Sequence, residues 1–111
     1  VLRLRYGEFA ALLPSDASGD TLRGIVERGD DLRAALLQLP DHGTQRSLDS
    51  AFLAAVAPEA VVLQVDPANL RGDPDIDVLT LLGDLPLWRT DIHGTLHVWT
   101  DGTTWHIEGQ G

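Results

Sequence analysis

The sequence predicts an α/β fold in which strands and helices alternate along a single domain. Strand-length apolar runs recur through the chain, and stretches of about ten residues with helical spacing separate them. Near the C-terminus, two alternating segments flank a turn-forming dipeptide. This succession is typical of α/β layer folds. The predicted order is ββ-α-β-α-β-α-β-ββ, and we treat residues 1–111 as one domain.

The first two predicted elements are strands joined by a tight turn. Leu2, Leu4 and Tyr6 alternate with arginines, which is the pattern of a half-buried strand. A second strand over 9–13 follows the turn and stops at Pro14, because proline cannot continue a sheet ladder. The chain opens within a strand, with neither an initiator methionine nor a signal peptide. We therefore expect it to be a piece of a longer protein.

Two helices and two buried strands are predicted next. The first helix has Ser18 as its candidate N-cap and ends at Gly29. The strand over 34–39 has no polar alternation until its last residues, so we expect it to be buried on both faces. The second helix covers 47–57 and precedes another buried strand over 60–65.

A third helix and a short edge strand complete the alternating part of the chain. Either Asp75 or Asp77 can cap this helix, and Gly83 ends it. The edge strand over 86–89 follows. We therefore expect the sheet to end at this strand.

The C-terminal segment predicts a β-hairpin. Strands over 95–100 and 103–108 flank Asp101-Gly102, a strong signal for a two-residue turn. That register places His97 opposite His106, close enough for the two imidazoles to share a metal. The alternative, which we favour, is a solvent-facing pair.

Composition excludes several classes of protein. Hydrophobic residues make up 43% of the 111 residues and charged residues 23%, which is the balance of a globular domain rather than of a disordered segment. No apolar run approaches the roughly 20 residues of a membrane span. The absence of cysteine excludes disulfides, thiolate metal sites and a cysteine nucleophile.

Net charge bears on the partners of the chain. Eight arginines oppose 17 acidic residues, which gives a net charge of −9. A domain this acidic repels phosphate backbones, so the chain by itself is a poor nucleic-acid binder. Such acidity suits solubility, or carboxylates that hold cations.

Polar side chains follow two of the predicted strands at their carboxyl ends. Asp16 comes after the second strand, and Asp41 and His42 come after the third. In an open α/β sheet, groups at these positions converge on one crevice. Carboxylate and imidazole are suited to zinc or manganese. The alternative is ordinary loop polarity, with aspartates that cap helices.

Other local patterns give weaker indications. Arg71-Gly72-Asp73 matches an adhesion tripeptide, but we favour a turn that leads into the next helix. Ser47 and Thr44 lie near His42 in the sequence, but no nucleophile-elbow motif accompanies them, and Ser47 is better interpreted as a helix cap. The sequence contains no glycine-rich phosphate-binding loop.

Taken in order, several short motifs resemble one known family. They are 1–4 (VLRL), 12–16 (LLPSD), 37–44 (LQLPDHGT), 52–58 (FLAAVAP), 69–74 (NLRGDP), 88–91 (WRTD), Gly94 and Asp101-Gly102. Together they resemble the C-terminal half of the metallo-β-lactamase domain of ComEC-type competence proteins, the membrane channels that take up DNA in natural transformation. The resemblance covers essentially the whole chain in order.

The resemblance carries expectations about fold and ligands. It implies the second half of an αββα fold, a mixed sheet with helices on one face and a C-terminal hairpin. Asp16 matches the bridging aspartate of the family's TGD motif, and His42 matches the second histidine of its HHGS motif. Asp41 stands in place of the first histidine, and Asp73 replaces the histidine of a GHP motif. The family's HxHxDH motif belongs to the N-terminal half, outside this chain.

The resemblance also implies a function. An intact family member would use zinc or manganese to activate water for attack on a phosphodiester, and would thereby degrade the DNA strand that is not imported. We expect this fragment to be inactive alone and to hold no metal, since its matched ligands are only Asp16 and His42, with Asp41 as a third candidate. The implied location is an extracytoplasmic soluble domain of a cell-membrane protein.

Partners follow from the same expectation. They are the N-terminal half of the domain, the membrane channel, DNA through the parent protein only, and a second copy through an exposed sheet surface. Two alternatives stay open: an accessory or protein-interaction domain that kept the fold and lost the metal, and an unrelated α/β domain used for protein contacts.

Overall fold

The structure is a computed structural model that describes residues 1–14, 19–29, 31–39, 50–65 and 76–110. The strands are β1 Leu2–Tyr6, β2 Phe9–Leu13, β3 Leu36–Gln38, β4 Ala60–Leu63, β5 Leu87–Arg89, β6 Leu96–Thr100 and β7 Trp105–Gly109. The helices are α1 Gly19–Glu27, α2 Ser50–Val56, α3 Ile76–Leu82 and α4 Thr90–His93. The predicted succession of elements is confirmed in these ranges, while α4 is an addition that the sequence did not predict.

The first five strands form one mixed sheet in the order β1-β2-β3-β4-β5. β1 pairs antiparallel with β2, and the strands from β2 to β5 are parallel to one another. β6 and β7 form a separate antiparallel sheet. The carboxyl ends of β2 to β5 therefore share one edge of the sheet.

Helices α1, α2 and α3 cover one face of this sheet. Leu22 of α1, Phe52 of α2 and Val78 of α3 are almost completely buried, and they belong to the same apolar cluster as Leu37 of β3 and Val61 of β4. Each helix packs on the sheet through apolar residues at helical spacing. This cluster is the main core of the domain.

The β6–β7 hairpin covers the opposite face of the sheet. Because successive residues of a strand point to opposite faces, Leu36 faces the hairpin while Leu37 faces the helices. Both are buried, which confirms the predicted burial of this strand on both faces. The hairpin contributes three partly buried side chains to this second cluster, Val98, Trp105 and Ile107.

The hairpin is held on the sheet by a contact between two turns. The Glu8 N–H of the β1–β2 turn donates to the Gly102 carbonyl oxygen at 2.5 Å. Gly7 has φ +60°, and a Cβ at this position would lie 2.5 Å from the same oxygen. Only glycine fits this approach, because any larger residue would be strained and would push the hairpin away.

The prediction of a half-buried first strand is wrong. The register places Leu2, Leu4 and Tyr6 opposite Leu13, Ala11 and Phe9, and so on the hairpin face of the sheet. They are 54%, 50% and 62% exposed. The hairpin lies over the middle of the sheet and leaves this edge uncovered among the described residues.

The predicted hairpin register is also wrong by two residues. Thr100 pairs with Trp105, so the loop has four residues and His97 lies opposite Glu108 rather than His106. A two-residue type I′ turn requires positive φ at both central residues. Gly102 has φ 98°, but Asp101 lies outside the positive-φ region. The predicted type I′ turn therefore does not form.

The Asp101 side chain stabilises this wider turn. Its carboxylate accepts hydrogen bonds from the N–H groups of Thr104 at 2.8 Å and Thr103 at 2.9 Å. These bonds hold the pKa of the Asp101 carboxyl below its ordinary value, with the Thr104 bond the larger cause. The register shift is an even number of residues, so Val98, Trp105 and Ile107 still share the face that packs on the sheet.

The observed fold is thus a mixed sheet with α1, α2 and α3 on one face and an antiparallel C-terminal hairpin on the other. The coarse α/β architecture predicted from the sequence is confirmed. Gly83 ends α3 with φ 58°, as predicted. Within the described ranges, no helix is both long and apolar enough to cross a bilayer.

Candidate functional site

The carboxyl ends of the parallel strands meet the base of the hairpin in one crevice. A cavity of 700 Å³ lies there, between the sheet and the hairpin. Its lining comes from the ends of β2, β3 and β4, from α4 and from the start of β6. Polar groups at this position in an α/β sheet are the ones that converge on a ligand.

The described lining of the cavity is mainly apolar, with a few polar groups and no charged side chain. Gln38 and Gln64 each bring an amide group to the wall, and Thr90 brings a hydroxyl. The Gln38 Nε2 donates to the Gln64 Oε1 at 3.4 Å. Thr95 is a second threonine in the lining, and the other lining groups are apolar side chains and backbone. These residues can shape and hydrogen-bond a ligand, but the described part of the wall supplies no titratable group for acid–base chemistry.

Thr90 ties the end of β4 to the start of α4. Its hydroxyl donates to the Val65 carbonyl at 3.0 Å and accepts from the Val65 N–H at 2.8 Å. A hydroxyl that both donates and accepts satisfies two backbone groups just past the last residue of β4. Thr90 therefore positions the wall of the cavity, and sequence reasoning assigned it no role beyond the WRTD motif.

An ion pair next to Thr90 holds α4 in place. The Arg89 Nε and Nη2 donate to the two carboxylate oxygens of Asp91 at 3.0 and 2.7 Å, which is a bidentate arrangement. The Asp91 side chain is only 9% exposed. The hydrogen bond from Arg89 is the main reason that the pKa of Asp91 lies below its ordinary value of 3.8.

His93 completes this turn from its other end. Its Nδ1 accepts a hydrogen bond from the Arg89 N–H at 3.0 Å, and its ring lies 5.1 Å from the Trp88 ring. The same Nδ1 lies 3.2 Å from the Arg89 carbonyl oxygen, so both backbone polar groups of Arg89 contact the imidazole. The imidazole ring therefore stabilises the α4 turn, and the backbone of Arg89 fixes its orientation.

The predicted ligand residues all lie outside the described residues. Asp16, Asp41, His42 and Asp73 belong to the segments that follow β2, β3 and β4 in the chain. Their mutual distances, including that between Asp16 and His42, stay predictions. The described residues do show that the strands before these segments end at one edge, beside the cavity.

The two hairpin histidines have a different arrangement from the predicted one. His97 and His106 each contact the ring of Trp99, with centroid distances of 5.0 and 5.3 Å. They lie on the face of the hairpin that points away from the sheet, beside a Trp99 that is 42% exposed. The favoured interpretation of a solvent-facing pair agrees with this stack, whereas the pairing of His97 directly opposite His106 is corrected.

Metal-ligating side chains do not cluster within the described ranges, where no group of three or more histidine, aspartate or glutamate side chains could hold an ion. The candidate ligands Asp16, Asp41 and His42 lie outside those ranges. Comparison with known proteins adds no identification: no family model matches the chain, and neither a curated protein nor a solved structure does so.

Proposed function

We propose that the chain is the C-terminal part of a metallo-β-lactamase-like domain of a ComEC-type DNA-uptake protein. The observation that carries the proposal is the shared edge of β2, β3 and β4 beside one cavity, because each strand precedes a segment with a candidate ligand. Asp16 follows β2, Asp41 and His42 follow β3, and Asp73 follows β4. The matching order of family motifs along the chain supports the same proposal.

The donor set fits part of a zinc or manganese site. A carboxylate from Asp16 and an imidazole from His42, with Asp41 beside it, are oxygen and nitrogen ligands of the kind these metals take. When bound, the metal would activate water for attack on a phosphodiester. In this proposal Asp16 and His42 would hold the metal, and Gln38, Gln64 and Thr90 line the cavity at the same edge of the sheet.

The uncovered face of β1 supports the expectation that another part of the protein completes the domain. Leu2, Leu4 and Tyr6 form an exposed apolar strip on the same face as the hairpin. Burial of such a strip by another layer is favourable, at about 25 cal/mol per Å² of apolar surface. The proposed covering layer is the N-terminal half of the domain. In the intact protein this domain lies outside the cytoplasmic membrane.

The test uses the parent protein's soluble domain and three variants. We expect bound zinc or manganese and metal-dependent DNA cleavage in the parent, and loss of both in Asp16→Asn and His42→Ala. His97→Ala is the matched control, because it removes an imidazole on the far face of the hairpin, and it should keep both properties. An HxHxDH motif upstream of Val1 is a second expected result.

The chain by itself should cleave no plasmid DNA with either metal. Cleavage by the purified chain that His42→Ala abolishes would contradict the need for the N-terminal half. A parent that carries no metal and leaves DNA intact would contradict the nuclease proposal.

The second candidate is an accessory domain that kept the fold and lost the metal. Two family histidines are aspartates here, at Asp41 and Asp73, and the chain carries a net charge of −9. An inert, metal-free parent that still binds a protein partner would favour this candidate. Metal content of the purified parent therefore separates the two functions.

A further inference from the structure

β1 is an edge strand with a free row of backbone groups. Its outer side carries no strand among the described residues. Tyr6 and Phe9 close a two-residue hairpin and form a hydrogen-bonded pair. In the next pair, Arg5 and Ala10, the backbone N–H and C=O groups therefore point away from the partner strand. The Ala10 carbonyl indeed accepts from the Ala35 N–H at 2.9 Å, on the side away from β1. The free N–H and C=O groups of β1 are consequently those of Arg3 and Arg5.

The side chains of β1 are sorted by charge between its two faces. Leu2, Leu4 and Tyr6 are exposed on the hairpin face, while the two arginines lie on the helix face. The Arg3 Nε donates to the Arg33 carbonyl at 3.0 Å, and its Nη2 lies 3.7 Å from Asp31.

Arg5 has a weaker set of contacts. Its Nε makes a 3.5 Å contact with the Gly7 carbonyl, and no carboxylate contact involves it among the described residues. Of the two β1 arginines, Arg3 therefore has a carboxylate nearby and Arg5 has none among the described residues.

This pattern opposes pairing with a second copy. In the symmetric antiparallel pairings of two β1 strands that keep the apolar residues on one face and join the free backbone groups of Arg3 and Arg5 to one another, odd positions oppose odd positions. Arg3 then faces Arg3 or Arg5, or Arg5 faces itself. Like charges directly opposite one another destabilise a strand pair, and charged edge strands are a known protection against self-pairing.

We propose that the outer edge of β1 binds an extended segment of a separate polypeptide in which apolar and acidic residues alternate. Such a segment would add a sixth strand through the free backbone groups of Arg3 and Arg5. Its carboxylates would lie opposite the two guanidinium groups, and its apolar side chains would extend the strip of Leu2, Leu4 and Tyr6. The backbone groups and charges that would bind this segment lie at the outer edge of β1. They are therefore independent of the proposed metal site.

The experiment titrates isotope-labelled chain with capped seven-residue peptides and follows backbone amide shifts by NMR. The probe alternates valine with glutamate, and the two controls alternate valine with lysine or serine. We expect saturable shifts largest at Arg3 and Arg5 with the glutamate peptide. The glutamate peptide can form two arginine–carboxylate pairs and the lysine peptide none. We therefore expect the lysine peptide to bind at least about tenfold more weakly than the glutamate peptide.

Variants separate strand addition from general attraction. Arg3→Glu/Arg5→Glu should reverse the preference between the peptides, so that the lysine peptide binds more tightly. Arg5→Glu alone should weaken the binding of the glutamate peptide. Arg23→Glu/Arg28→Glu, at one residue of α1 and one residue just after it, makes the same charge change elsewhere and should leave the preference intact. Arg5→Pro removes the backbone N–H of residue 5 from the free edge and should weaken the binding of all three peptides.

Three results would overturn the inference. The first is equal binding of the glutamate and lysine peptides. The second is the absence of saturable shifts at Arg3 and Arg5 with any peptide. The third is concentration-dependent shifts at these amides without peptide, together with a dimer in sedimentation, which would identify a second copy as the occupant.

Discussion

The two faces of the central sheet differ in how completely they are covered. On the helix face, Leu37 and Val61 of the sheet pack against Leu22 and Phe52, and all four are fully buried. On the hairpin face, the buried residues are small or few, and Leu4 of the edge strand is 50% exposed. The difference indicates that the helix face stabilises the domain, whereas the hairpin face carries the surfaces available for binding.

The cavity at the carboxyl edge belongs to this second face. Its walls come from the sheet and from the base of the hairpin, including Thr95 and Leu96. A ligand there would touch residues of both sheets, and small shifts of the hairpin would change the shape of the site. The comparison therefore predicts large stability effects on the helix face, and smaller ones on the hairpin face.

The largest expected effect is on the helix face. Phe52→Ala should lower the free energy of unfolding by about 4 kcal/mol, because a fully buried ring is replaced by a cavity. Chemical denaturation monitored by circular dichroism measures the change. Ile76→Ala, at a residue that is 71% exposed, is the control and should change stability little. Equal losses in the two variants would contradict the assignment of the main core.

The hairpin face should give an intermediate effect. Trp105 packs on Phe9 at 5.7 Å, and its indole N–H donates to the Glu59 Oε2 at 3.1 Å. Trp105→Ala should cost about 2 kcal/mol of unfolding free energy. Trp99→Ala makes the same substitution on the outer face of the same hairpin and should cost much less. A larger loss for Trp99→Ala would mean that the hairpin packs through its other face.

The pair beside the cavity should give a smaller, pH-dependent effect. Asp91→Asn should cost about 1 kcal/mol at neutral pH, because it removes the charge-assisted bonds from Arg89. The folded pKa of Asp91 lies below 3.8, so its contribution is present above that pH and is lost as pH falls through the folded pKa.

The stability difference between wild type and Asp91→Asn should therefore shrink as the pH falls below 3.8. Asp20→Asn, at a side chain that is 97% exposed, is the control and should change stability little. A difference for Asp91→Asn that grows with acidity would show that the Arg89 bond does not stabilise the folded state.

The smallest stability effect is expected at the uncovered edge. Leu4→Ala should change the unfolding free energy by less than about 0.5 kcal/mol, whereas Leu12→Ala on the adjacent strand should cost about 3 kcal/mol. A large loss of stability for Leu4→Ala would mean that the strip is covered within the chain.

Sequence reasoning was most successful where local pattern decides the structure. The succession of elements, the burial of β3 on both faces and the end of α3 at Gly83 follow from periodicity and glycine chemistry. The hairpin was predicted correctly but its loop length was not, because that depended on whether Asp101 adopted a positive φ or used its carboxylate to cap the turn.

Features set by distant contacts could not be predicted. The exposure of Leu4 depends on how far the hairpin extends across the sheet. The role of Thr90 depends on Val65, 25 residues earlier in the chain. For the site, the pattern predicted which strand ends carry ligand-bearing segments, but contacts among Asp16, His42 and Asp73 are not among the described ones.

The most direct test of the proposed site measures the separation of Asp16 and His42. The chain contains no cysteine, so Asp16→Cys/His42→Cys places a single reactive pair in it. Because two ligands of one metal lie within a few ångströms of each other, a cross-linker that spans about 8 Å should join this pair efficiently. Asp16→Cys/His97→Cys, with one site on the outer face of the hairpin, should not react with it. Cross-linking of the Asp16→Cys/His42→Cys pair only by reagents longer than about 12 Å would contradict a shared site at the carboxyl edge of the sheet.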